Sequence, residues 1–162
     1  MADIRLHLLR HAHAGDPTKW RGPDAERPLS AKGIAQAERL GELLARAGFR
    51  PDLIVTSPKV RAEQTARIVA EALGLTVSVD ERLASGFAID ELEALLEGAG
   101  RPAAPVLVGH DPDFSELLGD LIGSPIQLRK GALARVDVAP PFDPESGVLR
   151  WLVPPDLLVA TG

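Results

Sequence analysis

The sequence predicts an α/β fold, a three-layer sandwich whose mostly parallel central sheet has helices on both faces and an antiparallel pair at one edge. Four short apolar runs alternate with helical patterns along the chain, at residues 4–9, 53–55, 76–79 and 105–108. Parallel neighbours need crossover helices, so this alternation favours a parallel sheet. Two later apolar runs, 133–138 and 148–153, flank a turn-rich stretch and predict the antiparallel edge pair.

The composition is that of an ordinary globular protein. With 162 residues, 45% of them hydrophobic and 25% charged, the chain is expected to form a single domain over residues 1–162. It has no cysteine, no apolar stretch long enough for a membrane helix and no secretory signal, so we expect no membrane association and a cytoplasmic location. The net charge is −5, and the Lys and Arg residues form no clusters along the sequence, which argues against a nucleic-acid partner.

The first helix is predicted after a loop over residues 12–28 that is rich in Gly, Pro and Asp. Ser30 is a suitable N-cap, and Gly48 supplies the stop. Between them, apolar residues recur at helical spacing, at Ile34, Ala37, Leu40, Leu44 and Ala47.

The second helix is predicted to begin with Ser57 as its N-cap and Pro58 at its first position, and to end at Gly74. Further helices are predicted near residues 89–96 and from the Asp111-Pro112 pair to about residue 122. Helices would thus begin at Pro58 and Pro112, at the edge of the sheet where the parallel strands end.

Two histidines and two arginines follow the ends of these strands. Arg10 and His11 end the first apolar run, His110 ends the run 105–108, and Arg61 lies shortly after the run 53–55. In open α/β sheets ligands bind beyond the carboxyl ends of the strands. Helix N-termini there favour an anion, and a guanidinium fork can hold two phosphate oxygens. The sequence therefore predicts a phosphate site.

His11 is the predicted nucleophile of this site. One ring nitrogen of a neutral imidazole can attack phosphorus while the other donates to a backbone carbonyl, giving a phosphohistidine that water hydrolyses. A protonated His110 would stabilise the equatorial oxygens. Because these cations neutralise the transition-state charge, no metal or other cofactor is expected.

Several motifs together resemble the histidine phosphatase superfamily, and within it the small phosphohistidine phosphatase branch. The residues that carry the resemblance are Leu8-Leu9-Arg10-His11-Ala12, Arg27-Pro28-Leu29-Ser30 with Gly33 and Gln36-Ala37, Ser57-Pro58 with Arg61-Ala62 and Gln64-Thr65, and Val108-Gly109-His110. The resemblance implies a phosphoglycerate mutase-like fold, with His11 as nucleophile and Arg10, Arg61 and His110 completing the phosphate pocket.

The residue at the position of the general acid departs from the family pattern. Larger members place a carboxylate two residues beyond a leucine that follows the third strand; counted from Leu83, that position is Ser85. Weaker candidates for the acid are Glu81, Asp90, Asp111 and Asp113. An alkoxide leaving group needs a proton more than the imidazole of a phosphohistidine does, so this departure favours a substrate with a P–N bond.

Three residues have alternative roles. His13 is expected to line the phosphate loop, although the pair His11 and His13 also matches a metal-binding pattern. Arg27 reaches the pocket or pairs with Asp24 or Glu26 on the surface. Ser57 contacts phosphate or only caps its helix.

The predicted function is that of a metal-independent phosphatase acting on phosphohistidine in a protein. The alternatives are a phosphomonoesterase that hydrolyses a small phosphate ester, and a non-catalytic phosphate-binding module.

Overall fold

A computed structural model describes residues 3–158. Its six-stranded sheet has the order β3-β2-β4-β1-β5-β6. The strands are β1 (Ile4–Arg10), β2 (Leu53–Thr56), β3 (Ser78–Val79), β4 (Pro105–Gly109), β5 (Leu133–Val138) and β6 (Val148–Val153). Strands β1, β2, β3 and β4 run parallel to one another, whereas β5 pairs antiparallel with both β1 and β6. The predicted fold class is confirmed, including the antiparallel pair at one edge.

Among the described residues, four α-helices cover the sheet: α1 (Ala31–Arg46), α2 (Val60–Leu73), α3 (Ile89–Gly98) and α4 (Asp113–Ile122). Alternating side chains of the strands reach opposite faces of the sheet. Leu8 of β1 packs in the same cluster as the apolar residues of α3 and α4. Its neighbour Leu9 packs in the cluster that contains the apolar residues of α1 and α2. The sheet is therefore the middle of three layers, as predicted. No helix within residues 3–158 is both long and apolar enough to cross a bilayer.

Helix α1 begins where the sequence predicts. Ser30 caps it by accepting a hydrogen bond from the backbone N–H of Gly33. The predicted apolar face is correct at its centre, where Ala37, Leu40 and Leu44 are buried. It is wrong at its ends: Ile34 is 39% exposed and Ala47 is exposed, because α1 packs on the sheet and α2 over its middle turns.

The predicted starts of α2 and α4 are wrong. Helix α2 begins at Val60 rather than Pro58, because Ser57 continues the extended strand and donates its N–H to the carbonyl of Val108. The Ser57 hydroxyl accepts from the N–H of Lys59, two residues on, which closes a turn before the helix. Helix α4 begins at Asp113, after Pro112.

Candidate active site

The strand ends bring Arg10, His11 and His110 to one edge of the sheet. β1 and β4 are adjacent and in register, with Arg10 opposite Gly109, so His11 and His110 follow neighbouring strands. The rings of these two histidines lie with their centroids 5.2 Å apart. Arg61, in the first turn of α2, adds a guanidinium, and the residue is only 6% exposed. The four residues predicted to form the phosphate pocket are thus neighbours in the structure.

The hydrogen bond of His11 to the backbone leaves one ring nitrogen free to act as a nucleophile. Its Nδ1 lies 2.7 Å from the carbonyl oxygen of Ala12, and because a carbonyl only accepts hydrogen bonds, Nδ1 carries the proton. Nε2 is then the unprotonated nitrogen with a free lone pair. Burial, together with the charges of Arg61 and Arg10, lowers the pKa of His11 to about 3, and the hydrogen bond to Ala12 only partly opposes this shift. The ring is therefore neutral at pH 7.

His110 is also neutral in the free protein. Burial lowers its pKa to about 3, with His11, Lys59 and Arg61 acting in the same direction and Asp24 against it. Its Nε2 lies 2.7 Å from the Ser57 hydroxyl. Ser57 thus contacts His110 instead of capping α2, which explains why a serine stands at the strand end although the helix begins three residues later.

Three buried nitrogens at this site have no hydrogen-bond partner. They are Nε of Arg10, Nε of Arg61 and Nδ1 of His110, and they are the only such buried side-chain atoms among residues 3–158. Buried polar groups are almost always hydrogen-bonded, because an unsatisfied donor costs about 1–3 kcal/mol. Two arginine donors and one imidazole nitrogen left in this state around His11 form a site suited to an oxyanion.

The loop after His11 is fixed by side chains from both flanking helices. Thr65 of α2 accepts a hydrogen bond from the N–H of Ala12, and its hydroxyl donates to the carbonyl of Arg61. Gln36 of α1 accepts from the N–H of His13, and Gln64 of α2 accepts from the N–H of Leu29. These contacts give the Gln and Thr residues of the sequence motifs a physical role: they position the nucleophile and the loop beside it.

Gly33 allows α1 to approach this loop, and its substitution should be costly. A Cβ at Gly33 would meet the carbonyl oxygen of His13 at 1.9 Å. We expect Gly33→Ala to lower the free energy of unfolding by about 2–3 kcal/mol, because the backbone of α1 and the backbone of the loop at His13 must move apart. Gly98→Ala is the control: it is also helical, but a Cβ there meets nothing within 4 Å. Urea unfolding of both variants checks this, and equal effects would contradict it.

Asp24 is a site residue that sequence analysis missed. Its carboxylate lies 3.0 Å from Arg61 and 3.2 Å from Arg27, and its backbone carbonyl accepts from Arg61 at 2.8 Å. Burial raises the pKa of Asp24, but the hydrogen bonds and charges of Arg27 and Arg61 together lower it. The pairing of Arg27 with Asp24 was one of the predicted alternatives. The contact of Asp24 with Arg61 was not predicted, because no local sequence pattern connects residues 24 and 61.

Arg27 and His13 lie beside the four central residues. Arg27 is buried and donates to the carbonyl of Ala14 at 2.8 Å, so it supports the loop as well as Asp24. His13 is half-buried, with Nδ1 2.7 Å from the hydroxyl of Ser30. Within residues 3–158, His, Asp and Glu side chains form no group of three or more placed to hold a metal ion.

Comparison with known proteins places the chain in a family. The family model for the histidine phosphatase superfamily (branch 1) matches residues 6–89. An uncharacterized protein of Picosynechococcus sp. is 37% identical over 116 residues, which are 70% of this chain and 70% of that protein. This chain belongs to the histidine phosphatase superfamily.

Two further similar proteins are named for different phosphatase activities. The chain is 35% identical over 105 residues to an 8-oxo-(d)GTP phosphatase of Mycolicibacterium smegmatis, covering 62% of this chain but only 32% of that protein. In fold, it is similar to the protein histidine phosphatase SixA complexed with tungstate, with a TM-score of 0.83 and 22% identity over 96% of this chain and 100% of that one. The resemblance to the histidine phosphatase superfamily that the motifs carry is confirmed by the family model.

The position at which the family resemblance implies a general acid in larger members holds a serine, Ser85. Ser85 is exposed and follows a 3₁₀ turn, Glu81–Ala84, that buries Leu83. Asp113 accepts from the N–H of Phe87. Asp111 binds Ser115 through both carboxylate oxygens and lies 3.6 Å from Arg10. The carboxylates nearest the arginines, Asp24 and Asp111, are thus both paired with them.

The buried histidines should make the protein sensitive to acid. Burial lowers the pKa of His7 to about 4, and those of His11 and His110 to about 3, whereas an unfolded chain has about 6.5. Between these values the unfolded state binds more protons, so stability is full above pH 6.5 and falls as the pH drops towards 4. Each histidine contributes up to about 1.4 kcal/mol per pH unit.

Urea unfolding at pH 7, 6 and 5 measures this loss. We expect the three histidines together to remove several kcal/mol by pH 5, a large part of an ordinary domain's stability. His7→Gln should reduce the slope by about a third, because the two remaining histidines still titrate. A free energy of unfolding that stays constant from pH 7 to pH 5 would show that these rings are not held neutral.

Proposed function

We propose that this protein is a metal-independent phosphatase that transfers a phosphoryl group to Nε2 of His11, and that its substrate is phosphohistidine in a protein. The observation that carries the first part is the set of three unsatisfied buried nitrogens around His11, on Arg10, Arg61 and His110. They surround a neutral imidazole whose proton is fixed on Nδ1. Membership of a superfamily of phosphatases and mutases supports the same chemistry.

In the first step, Nε2 of His11 attacks phosphorus, a P–N bond to His11 forms and the bond to the leaving group breaks. Arg10 and Arg61 bind the phosphoryl oxygens, and their fixed positive charge stabilises the transition state without rearrangement. A dianion in the pocket would oppose the lowering of the His110 pKa and favour proton uptake at its Nδ1, which then donates to an oxygen. In the second step, water attacks phosphorus, releasing inorganic phosphate and neutral His11.

The preference for a phosphohistidine substrate rests on the leaving group. Asp24 and Asp111 are the carboxylates paired with the site arginines, so each is committed to an ion pair rather than placed as a free acid. The imidazole that leaves a phosphohistidine can take its proton at its other ring nitrogen, away from phosphorus. An alkoxide has no such second position and depends on a general acid, which typically contributes about 10²- to 10⁴-fold.

The test compares three substrates in the presence of a chelator: a protein carrying phosphohistidine, p-nitrophenyl phosphate and a sugar phosphate. We expect kcat/KM to be highest for the phosphohistidine protein and lowest for the sugar phosphate, whose alkoxide is the poorest leaving group. p-Nitrophenyl phosphate needs little protonation and serves as the control for an intact site. Faster turnover of the sugar phosphate than of the phosphohistidine protein would contradict the assignment.

A second candidate function is hydrolysis of a small phosphate ester, because a relative at 35% identity is named an 8-oxo-(d)GTP phosphatase. A nucleoside triphosphate and its monophosphate added to the same assay test this candidate. Preferential turnover of either nucleotide would assign a small molecule as the substrate and would leave the role of His11 unchanged.

A further inference from the structure

A basic cleft adjoins the proposed phosphoryl site. It has a volume of about 550 Å³ and includes both Arg10 and His13 in its lining. Half of its ten lining residues are cations, namely Arg10, Lys32, Arg39, Arg129 and Lys130. The whole chain has 18 Lys and Arg residues and a net charge of −5, so this concentration of positive charge is local. The proposed chemistry at His11 uses only Arg10 of these five.

The walls of the basic cleft are fixed relative to His11. Lys32, Gln36 and Arg39 have the spacing that places them on one face of α1. Gln36 accepts a hydrogen bond from the N–H of His13, two residues after the nucleophile. On the opposite wall, the N–H of Gly131 donates to the carbonyls of both Arg10 and His11, which places Lys130 beside the site. A ligand in the cleft would therefore have a defined position relative to the reacting phosphorus.

Much of this positive charge is not neutralised by the protein. Arg129 pairs with Asp156 at 3.3 Å, but Lys32, Arg39 and Lys130 form no ion pair with any other residue in 3–158. Partial burial lowers the pKa of Lys130, and the neighbouring charges of Arg10, Arg27, Arg61 and Lys32 lower it further. Anionic groups bound in the cleft would relieve this repulsion.

The lining of the cleft favours a peptide over a compact oxyanion. Besides its cations, the cleft is lined by His13, by Gln36, by Asp156, which pairs with Arg129, and by Pro155 and Leu158, whose apolar atoms offer nothing to a phosphate ion. A peptide with Asp and Glu side chains would place carboxylates on the cations and its own methylene groups on this apolar surface.

We propose that the basic cleft binds an acidic segment of the protein substrate, next to its phosphohistidine, and so selects phosphoproteins whose modified histidine has acidic neighbours. This inference rests on the proposed phosphoprotein function for its biological meaning. The geometry, however, predicts binding of an acidic peptide whether or not the phosphoryl group is present.

The test measures binding of two labelled peptides without phosphate, one rich in Asp and Glu and one with Asn and Gln in their place. The wild-type protein should bind the acidic peptide at least about tenfold more tightly than the neutral one by fluorescence anisotropy, and less tightly as the salt concentration rises. In the double variant Lys32→Gln/Arg39→Gln, we expect affinity for the acidic peptide to fall about fivefold to tenfold, through loss of two partly exposed charge contacts.

A matched control removes the same charge elsewhere. Arg50→Gln/Arg67→Gln changes two exposed arginines outside the cleft and should bind the acidic peptide within about twofold of wild type. Turnover of p-nitrophenyl phosphate by Lys32→Gln/Arg39→Gln should also stay within about twofold, because neither residue belongs to the proposed phosphate pocket. Thermal melts of both double variants establish that they are folded.

The outcomes separate the two proposals. Equal affinity for the two peptides, or undiminished binding by Lys32→Gln/Arg39→Gln, would overturn the acidic-peptide inference. Tight binding of a small bisphosphate, without binding of the acidic peptide, would overturn it in favour of a small polyanion. If the acidic peptide binds as expected but phosphohistidine versions of both peptides are not hydrolysed, the proposed function fails and the cleft assignment stands.

Discussion

His11→Ala is expected to lower kcat/KM for every phosphorylated substrate by at least about 10⁴-fold while leaving the fold intact. The imidazole supplies the attacking nitrogen, and without it no phosphohistidine can form at residue 11. Within residues 3–158 the side chain makes one hydrogen bond, from Nδ1 to the carbonyl of Ala12 in the next residue, so its loss should not unfold the chain. Steady-state turnover and far-ultraviolet circular dichroism measure the two effects.

His7→Gln is the matched control for His11→Ala. His7 is also a buried histidine of β1, and its Nδ1 likewise contacts a carbonyl, that of Pro105. It packs edge-on against Phe49, in the cluster on one face of the sheet, and not in the phosphate pocket. Its replacement should change stability and leave kcat/KM within a few-fold of wild type. If His11→Ala and His7→Gln reduced activity equally, His11 would have a structural role only.

Arg61→Lys is expected to lower kcat/KM by roughly 10²- to 10³-fold although the charge is retained. The guanidinium of Arg61 donates to the backbone carbonyl and the carboxylate of Asp24, and its Nε remains unsatisfied and buried. A planar fork can hold Asp24 and a phosphoryl oxygen at once, whereas an ammonium group cannot reproduce that geometry. Loss of one preorganised donor to a developing oxyanion costs about 2.7–4 kcal/mol in comparable sites.

The control for Arg61→Lys is Arg67→Lys, on the same helix and exposed, where Arg67 pairs with Glu63. That change should leave both activity and stability almost unaltered, because exposed ion pairs contribute less than about 1 kcal/mol. An Arg61→Lys variant with wild-type kcat/KM would mean that Arg61 acts only as a point charge, and the pocket would have to be redefined.

The sequence predicts the sheet and the positions of its helices because both depend on local apolar periodicity. Buried runs such as 105–108 are uniformly apolar, and the face of α1 around Leu40 repeats at helical spacing. Helix starts are harder to predict. A Ser-Pro pair is a good helix start in isolation, but pairing of Ser57 with Val108 across the sheet extends the strand by a residue instead.

The four central site residues could be predicted from their places in the sequence. Arg10, His11 and His110 end apolar runs that become neighbouring strands, and Arg61 lies in the helix that follows another such run. The role of Asp24 could not be predicted, since its contact with Arg61 joins residues 37 positions apart and Asp24 lies in a loop with no periodic pattern. The basic cleft was missed for a related reason. Its cations are scattered in sequence between Arg10 and Lys130 and form no charge run, so the statement that basic residues are not clustered holds for the sequence but not for the surface.

Trapping the phosphoryl group on the protein tests the central claim most directly. Wild-type protein and His11→Ala would each be mixed with a ³²P-labelled substrate, quenched in base within one turnover and digested for mass spectrometry. The proposed mechanism predicts a phosphoryl group on the His11 imidazole, stable in base and lost in acid, and no label on His11→Ala. Label on a different residue of the wild-type protein, or rapid turnover with no labelled protein at any time, would contradict it.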